Sequence, residues 1–514
     1  MSENKKILEN IDEVHETHGT NETTGKIPIK ENPLLNQIRA NNPTFATISL
    51  IFGIVLAFCF YKAGIGINLL AFIIVMVGLL IIVMNRLSLP IKKGTWFYYG
   101  ASLLLGISSM LTSNGALHFL NIIGMMLLLD ISLLNQFAEG ETYDFLRQLG
   151  RMLSLPFSTL ASIGMPFSDT FSNIKTTKII KSNKVKGVLI GAFLAIPLLL
   201  ILVALLSSAD IIFGEITANI TKFIFSPNII SVTLIIIIGF IACYSIICAA
   251  AKRFYTGKEK TREKEDPTIP ITTMTIITAV YLVFCTIQIM YLFNNGLFVL
   301  PKEFTFAQYA RRGFFELLLV TVINIGLIVI CSSIFKEHKA LKAILTIMTI
   351  CTYIMIFSAA YRMLLYTGAY HLTFSRLLVL LFLIIDFFVL AGVIISVYNN
   401  KFPLFNYCVV ITTVFYMGFS LSKPDIFIAD YNFKHMESAD KVDMNYLTYE
   451  LSYDAAPLII SYVDEIKNQI TSYERQIYTN YLNEIIEKKE NRGIRDFNLS
   501  IKRASDKAKE YYLE

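Results

Sequence analysis

The stretch Leu377–Tyr398, LLVLLFLIIDFFVLAGVIISVY, holds one charged residue, Asp386, in 22 consecutive positions. A helix of that length rises about 33 Å, enough to cross a hydrocarbon core about 30 Å thick. Apolar runs of similar length recur from Thr44 to Leu421. Hydrophobic residues make up 54% of the 514-residue chain and charged residues 16%, against about 25% charged in ordinary globular chains. A soluble protein of this size is excluded. The pattern predicts an all-α, polytopic transmembrane helix bundle of about eleven spans with a small C-terminal helical domain.

Working outward, spans are expected near residues 44–61, 67–84, 96–113, 116–134, 187–207, 228–250, 271–294, 313–335, 340–360, 377–398 and 403–421. An odd number places the termini on opposite sides. Alternate loops hold 20 lysines and arginines on one side, among them Arg86, Lys92, Lys175, Lys264 and Lys336, against 7 on the other. Cytoplasmic loops hold the basic excess, so the N-terminus is expected in the cytoplasm and the C-terminus outside a multi-pass cell membrane protein. Residues 1–40 are polar and nearly free of aromatics, a composition that cannot bury a core, and are expected to form a disordered cytoplasmic tail. His15 and His18 in it lack the companions of a metal site.

The bundle is expected over 41–421, with an interfacial cytoplasmic segment at 139–186. There Phe145, Leu149, Met152, Leu153, Leu155 and Phe157 form an apolar stripe opposite Asp144, Arg147, Gln148 and Arg151. Lysines from Lys175 to Lys186 follow and suit an anionic membrane surface; packing of the segment on the bundle is the alternative. Residues 422–514 read as an extracytoplasmic helical domain, with helices expected at 443–450, 452–468, 472–489 and 496–512. Ser452 or Asp454 is placed to cap a helix whose first turn holds Pro457.

Charges near the membrane are few and therefore informative, because each costs roughly 2.5–3.5 kcal/mol at a helix centre on insertion scales. With this topology Asp210, Arg311, Arg312, Glu316, Arg362, Arg376, Asp425 and Asp430 gather at the outer face, and Asp386 lies about 15 Å deeper than Arg376. Asp130 lies toward the inner end of the fourth span. Thr305 to Gln308 has the capping-box form that would start the eighth helix and carry Arg312 and Glu316 on one face. One reading is a set of ion pairs holding helices to the outer domain. The other is a polar site for an anion or lipid headgroup, since guanidinium groups suit phosphate.

The seven cysteines all fall inside apolar runs and act as small apolar fillers. Small residues from Gly187 to Ala195 permit close helix contact. Phosphate-binding, zinc-protease and nucleophile-elbow signatures are absent from the sequence, so no catalytic residue, metal or other cofactor is assigned. A net charge of +6 is too small and scattered for nucleic acid. The expected partners are the lipid bilayer and, at the outer face, an anionic envelope ligand or a partner protein.

Several segments resemble the bacterial membrane protein family catalogued as domain of unknown function 4173. They are Ser207–Asp210, Ala310–Leu318, Tyr361–Tyr366 with Leu372–Leu377, Asp425–Asn432, and Tyr446–Leu447 through Ser452 to Asp454–Pro457. The resemblance covers about Asn85 to Ser461 and implies an envelope membrane protein without an established activity. The function expected is a non-enzymatic interaction or sensing role through the outer domain. The alternative is a secondary transporter with a polar site lined by Asp386 and the outer arginines.

Reporter fusions after Lys264 and after Glu514 are expected to report opposite sides of the membrane. Two cytoplasmic signals would mean that a span has been miscounted.

Overall fold

The computed structural model describes residues 32–137, 144–169, 226–255, 264–293, 314–435 and 444–513, apart from 467 and 469, with scattered residues between 195 and 217. The N-terminal part comprises α1 (Pro33–Ala40), α2 (Asn42–Phe60), α3 (Ile67–Arg86), α4 (Lys93–Leu111), α5 (Gly115–Phe137), α6 (Phe145–Leu160) and α7 (Pro227–Tyr255). Then come α8 (Thr268–Phe293), α9 (Phe314–Ile334), α10 (Lys339–Tyr370), α11 (Phe374–Tyr398) and α12 (Leu404–Leu421). The chain ends with α13 (Pro424–Lys434), a π turn (Tyr446–Glu450), α14 (Ala456–Glu465), α15 (Ser472–Glu490) and α16 (Leu499–Leu513). Among the described residues the only β feature is an isolated bridge between Glu265 and Phe335. The chain is an all-α polytopic bundle.

Nine described helices, α2, α3, α5 and α7–α12, are long and apolar enough to cross a membrane. Of the eleven expected spans, 187–207 lies almost entirely outside the described residues. The span expected at 96–113 is α4, a helix that falls short in apolarity. The reason is visible in its packing. Thr95, Ser102, Ser108 and Ser109 are buried along it, and Ser108 meets the Ser420 hydroxyl of α12 at 2.7 Å. Asn121 of α5 donates to Ser109 Oγ at 3.0 Å and accepts from Tyr416 and Ser420 at 2.7 and 2.8 Å. Helices α4, α5 and α12 thus share a polar seam.

Two apolar cores lie side by side. The first joins α1–α5 to α7, and the second joins α8–α11. Two elements bridge them: α12, with Phe405 in the first core and Leu404 in the second, and α6, whose Phe145 packs against both. Asp144 Oδ1 caps α6 by accepting from Leu146 N and Arg147 N. Its inner face buries Leu155 while Leu153, Phe157 and Leu160 stay more than half exposed, so the helix packs on the bundle and also presents an apolar edge. Arg39 ties the following segment down through Asp169, at 3.0 Å.

The bundle has two distinct ends. Loops 61–66, 112–114 and 371–373 lie at the end that carries α13–α16. Arg86, Lys92, Lys252, Lys336 and Lys401 lie toward the opposite, basic end.

Small residues act at one place in particular. Helices α2 and α7 cross at Gly53 and Gly239, where a Cβ on Gly239 would sit 2.8 Å from the Gly53 Cα and a Cβ on Gly53 would strike the Ile236 carbonyl. Close approach of backbones substitutes for side-chain interdigitation. The small-residue run at 187–192 lies outside the described residues. Replacing Gly53 with Val is expected to cost about 1–3 kcal/mol by overpacking, read as a lower melting temperature in detergent. Gly78→Ala, with nothing within 4 Å of the added carbon, should leave it unchanged.

Candidate functional site: the polar junction

The last α4 carbonyls have no acceptor role left inside their own helix, as at every helix C-terminus. Two side chains supply the missing donors. His118 Nε2 lies 3.0 and 2.9 Å from the carbonyls of Ser109 and Thr112, and because carbonyls only accept, this nitrogen carries the proton. Asn498 Nδ2 donates to the same two carbonyls at 3.3 and 2.6 Å. Asn498 Oδ1 at the same time accepts from Ser500 N and Ile501 N at 3.0 and 3.2 Å, which caps α16. One amide closes the end of one helix and opens another.

Asp454 is the centre of the junction. It is 5% exposed, and its Oδ1 accepts from Ser113 N at 2.7 Å and Ser113 Oγ at 3.0 Å. Thr112 Oγ1 and Ser500 Oγ donate to the same carboxylate. Asp425, on the first turn of α13, accepts at Oδ2 from Asn114 Nδ2 at 2.8 Å and Ser452 N at 3.1 Å. Asn114 Oδ1 in turn accepts from Leu117 N and caps α5. Asp425 Oδ1 is buried with no hydrogen-bond partner. Burial raises the Asp425 carboxyl above the ordinary carboxylate range; bonds from Ser452 and Asn114 oppose this, and neighbouring Asp454 adds to it.

Two further loops are held the same way. Arg492 Nη1 donates to the carbonyls of Ile65 and Asp496, both at 3.0 Å, and Arg495 donates to those of Phe58 and Tyr61 at 3.1 and 2.8 Å. At Gly66 an added Cβ would strike the Phe497 carbonyl, and the Ile67 N–H donates to that same carbonyl at 2.8 Å. Asn432 brackets Leu372, accepting from its N–H at 2.8 Å and donating to its carbonyl at 2.9 Å. The preceding His371 sits at φ 68°, a conformation costing about 1–3 kcal/mol outside glycine, so this loop is held against local strain.

The charges singled out in the sequence land in several places. Arg376 lies 4.1 Å from the Tyr366 ring and donates to the carbonyls of Tyr370 and His371, closing the end of α10. Arg362 is buried and donates to Gln288 Oε1 at 3.0 Å, as Ser358 does at 2.7 Å. Glu316 is exposed on the first turn of α9, and no ion pair among the described residues joins it to Arg376. Asp386 Oδ2 accepts from Thr321 at 3.1 Å. Asp430 pairs with Lys434, and Asp210 accepts from Phe213 N at 2.7 Å. Arg311, Arg312 and the Thr305 capping box lie outside the described residues. Asp454 does not cap α14; its N-cap is Ala455, without a side-chain bond. Pro457 does fall in the first turn.

Sequence reasoning missed Thr112, Asn114, His118, Asn432, Arg492, Arg495 and Asn498. Thr112 and Asn114 carried a signal of their own, being polar groups in the short break between two apolar helices.

Fold and junction define an integral, multi-pass α-helical membrane protein with a hydrogen-bonded helical cap at one end. The chain belongs to the family described as a domain of unknown function, DUF4153, which matches residues 99–462. That number replaces the 4173 read from the sequence, while the class, a family of unknown function, is the same. The match contains Thr112, Asn114, Asp425 and Asp454 and stops before α15 and α16. No curated protein and no solved structure matches the chain.

Asp454→Asn should turn an amide donor toward a set of donors and destabilise the chain by about 3 kcal/mol, visible as a large fall in melting temperature. Asp425→Asn keeps an acceptor for Asn114 and Ser452 and is expected to be nearly neutral. A raised folded-state value makes the Asp425 contribution complete below the ordinary carboxylate pKa of about 3.9 and lost as pH rises through the folded value. The wild-type chain should therefore lose stability relative to Asp425→Asn as pH is raised, by melting curves run across the range.

Proposed function

We propose that this is a protein of the bacterial cell membrane with its basic end in the cytoplasm and its C-terminal helices outside, acting without catalysis in interaction or sensing. The orientation is supported by the basic excess of the loops at that end. The observation that carries the role is the junction itself. Asp454 and Asn498 fasten the C-terminal helices to the end of α4 by buried bonds to Thr112, so a force or ligand acting on the cap is transmitted directly to α4. The cap also presents Tyr449, Tyr473 and Tyr512, each about half exposed or more, and aromatic side chains of this kind favour protein contacts.

A second reading, secondary transport, draws on Asp386, a carboxyl in an apolar span with a Thr321 hydrogen bond. Intramembrane carboxyls mark ion pathways in transporters. None of the three cavities described in the bundle is lined by Asp386.

Deletion of the gene, with lipid and envelope-stress profiling, separates the two through complementation. Under the interaction reading Asp386→Asn restores the wild-type profile, whereas Asp454→Lys, which undocks the cap, does not. Failure of Asp386→Asn at normal protein abundance, with full rescue by Asp454→Lys, would reverse the assignment.

A further inference from the structure

A crevice of about 340 Å³ runs between α2, α3, α5 and α7. Its α3 wall extends from Leu69 to Val83, about 21 Å at 1.5 Å per residue, roughly two-thirds of a hydrocarbon core about 30 Å thick. Phe52, Met76 and Met126 line it with other apolar side chains. Methionine, flexible and polarizable, suits an occupant of variable shape.

Among the lining residues only Asp130 is charged. It is half-buried on α5, seven residues and about 10 Å from the basic end of that helix. Among the described residues it has neither a hydrogen bond nor an ion pair. Compare Asp386, which has Thr321, and Asp169, which has Arg39 and Tyr244. A carboxyl at this depth is costly without a donor, and the crevice beside it has space for one. A plain hydrocarbon chain would fill the space and leave Asp130 unmatched, and an anionic head would be repelled.

We propose that the crevice is a binding site for a single-chain amphiphile with a hydrogen-bond-donating head, an amine or a hydroxyl. The head meets Asp130 and the tail lies along α3 toward the end that carries the cap. This inference is independent of the interaction reading, since it involves neither the junction nor the C-terminal helices.

The test uses the full chain in phosphatidylglycerol nanodiscs with two diazirine-bearing probes, hexadecylamine and hexadecanol, and peptide mapping of the adducts. At least one probe should label residues lining the crevice on α3 and α5. Asp130→Leu should lower that labelling about tenfold, the loss of one good hydrogen bond worth about 1.4 kcal/mol, and Met76→Trp should block it by filling the space. Asp130→Asn separates the heads: it keeps hydroxyl labelling and loses amine labelling. Melting curves accompany each variant. If Asp130→Leu does not fold, competition on the wild-type chain decides, with unlabelled hexadecylamine or hexadecanol displacing the probe and hexadecane not doing so. Equal labelling of wild type and Asp130→Leu, or equal competition by hexadecane, would show contact with bulk lipid only and overturn the proposal.

Discussion

Every spanning helix ends with carbonyl oxygens that its own turns cannot satisfy, and at one end of this bundle those oxygens are covered by protein side chains. Asn498 and His118 cover α4, Arg495 covers α2, and Arg376 covers α10. The C-terminal helices are placed by this requirement more than by an apolar interface. Their own core contains Leu372 of the α10–α11 loop and Ile428 and Ala429 of α13, so cap and bundle meet through hydrogen bonds around a small shared apolar patch. Buried polar groups without partners cost about 1–3 kcal/mol each, which makes this docking selective for one geometry.

The same economy explains α4. Its serines disqualify it as an ordinary apolar span and yet belong to the seam with Asn121, Tyr416 and Ser420. Interhelical hydrogen bonds in membranes average only about 0.6 kcal/mol, so the seam contributes register more than strength. It ends at Thr112, where the junction begins.

The apolar runs made the fold class and nine of the spans legible, because a bilayer imposes one length and one composition on whatever crosses it. The polar junction was not legible. Asn114 and Asp425 are 311 positions apart and Thr112 and Asn498 are 386 apart, and no periodicity links residues brought together only by the packing of several helices. Asp454 shows the difficulty in one residue. Its neighbour Pro457 does mark a helix start, and local rules assign the carboxylate to that cap; tertiary donors on Thr112, Ser113 and Ser500 claim it instead. Gly53 lies in a small-residue row with Ser49 and Ala57, but such spacing does not name the helix it will meet, and its partner Gly239 lies far off in the sequence.

Asn498 completes a helix that was made nearly 400 positions earlier. Until α16 has formed, the Ser109 and Thr112 carbonyls lack one of their two donors and Asp454 lacks Ser500. The end of α4 is therefore finished only by a segment synthesised long after it. A chain cut short before α16 would carry an intact set of spans with an open, hydrogen-bond-hungry hairpin end, a mark by which a quality-control protease could tell an incomplete copy from a complete one.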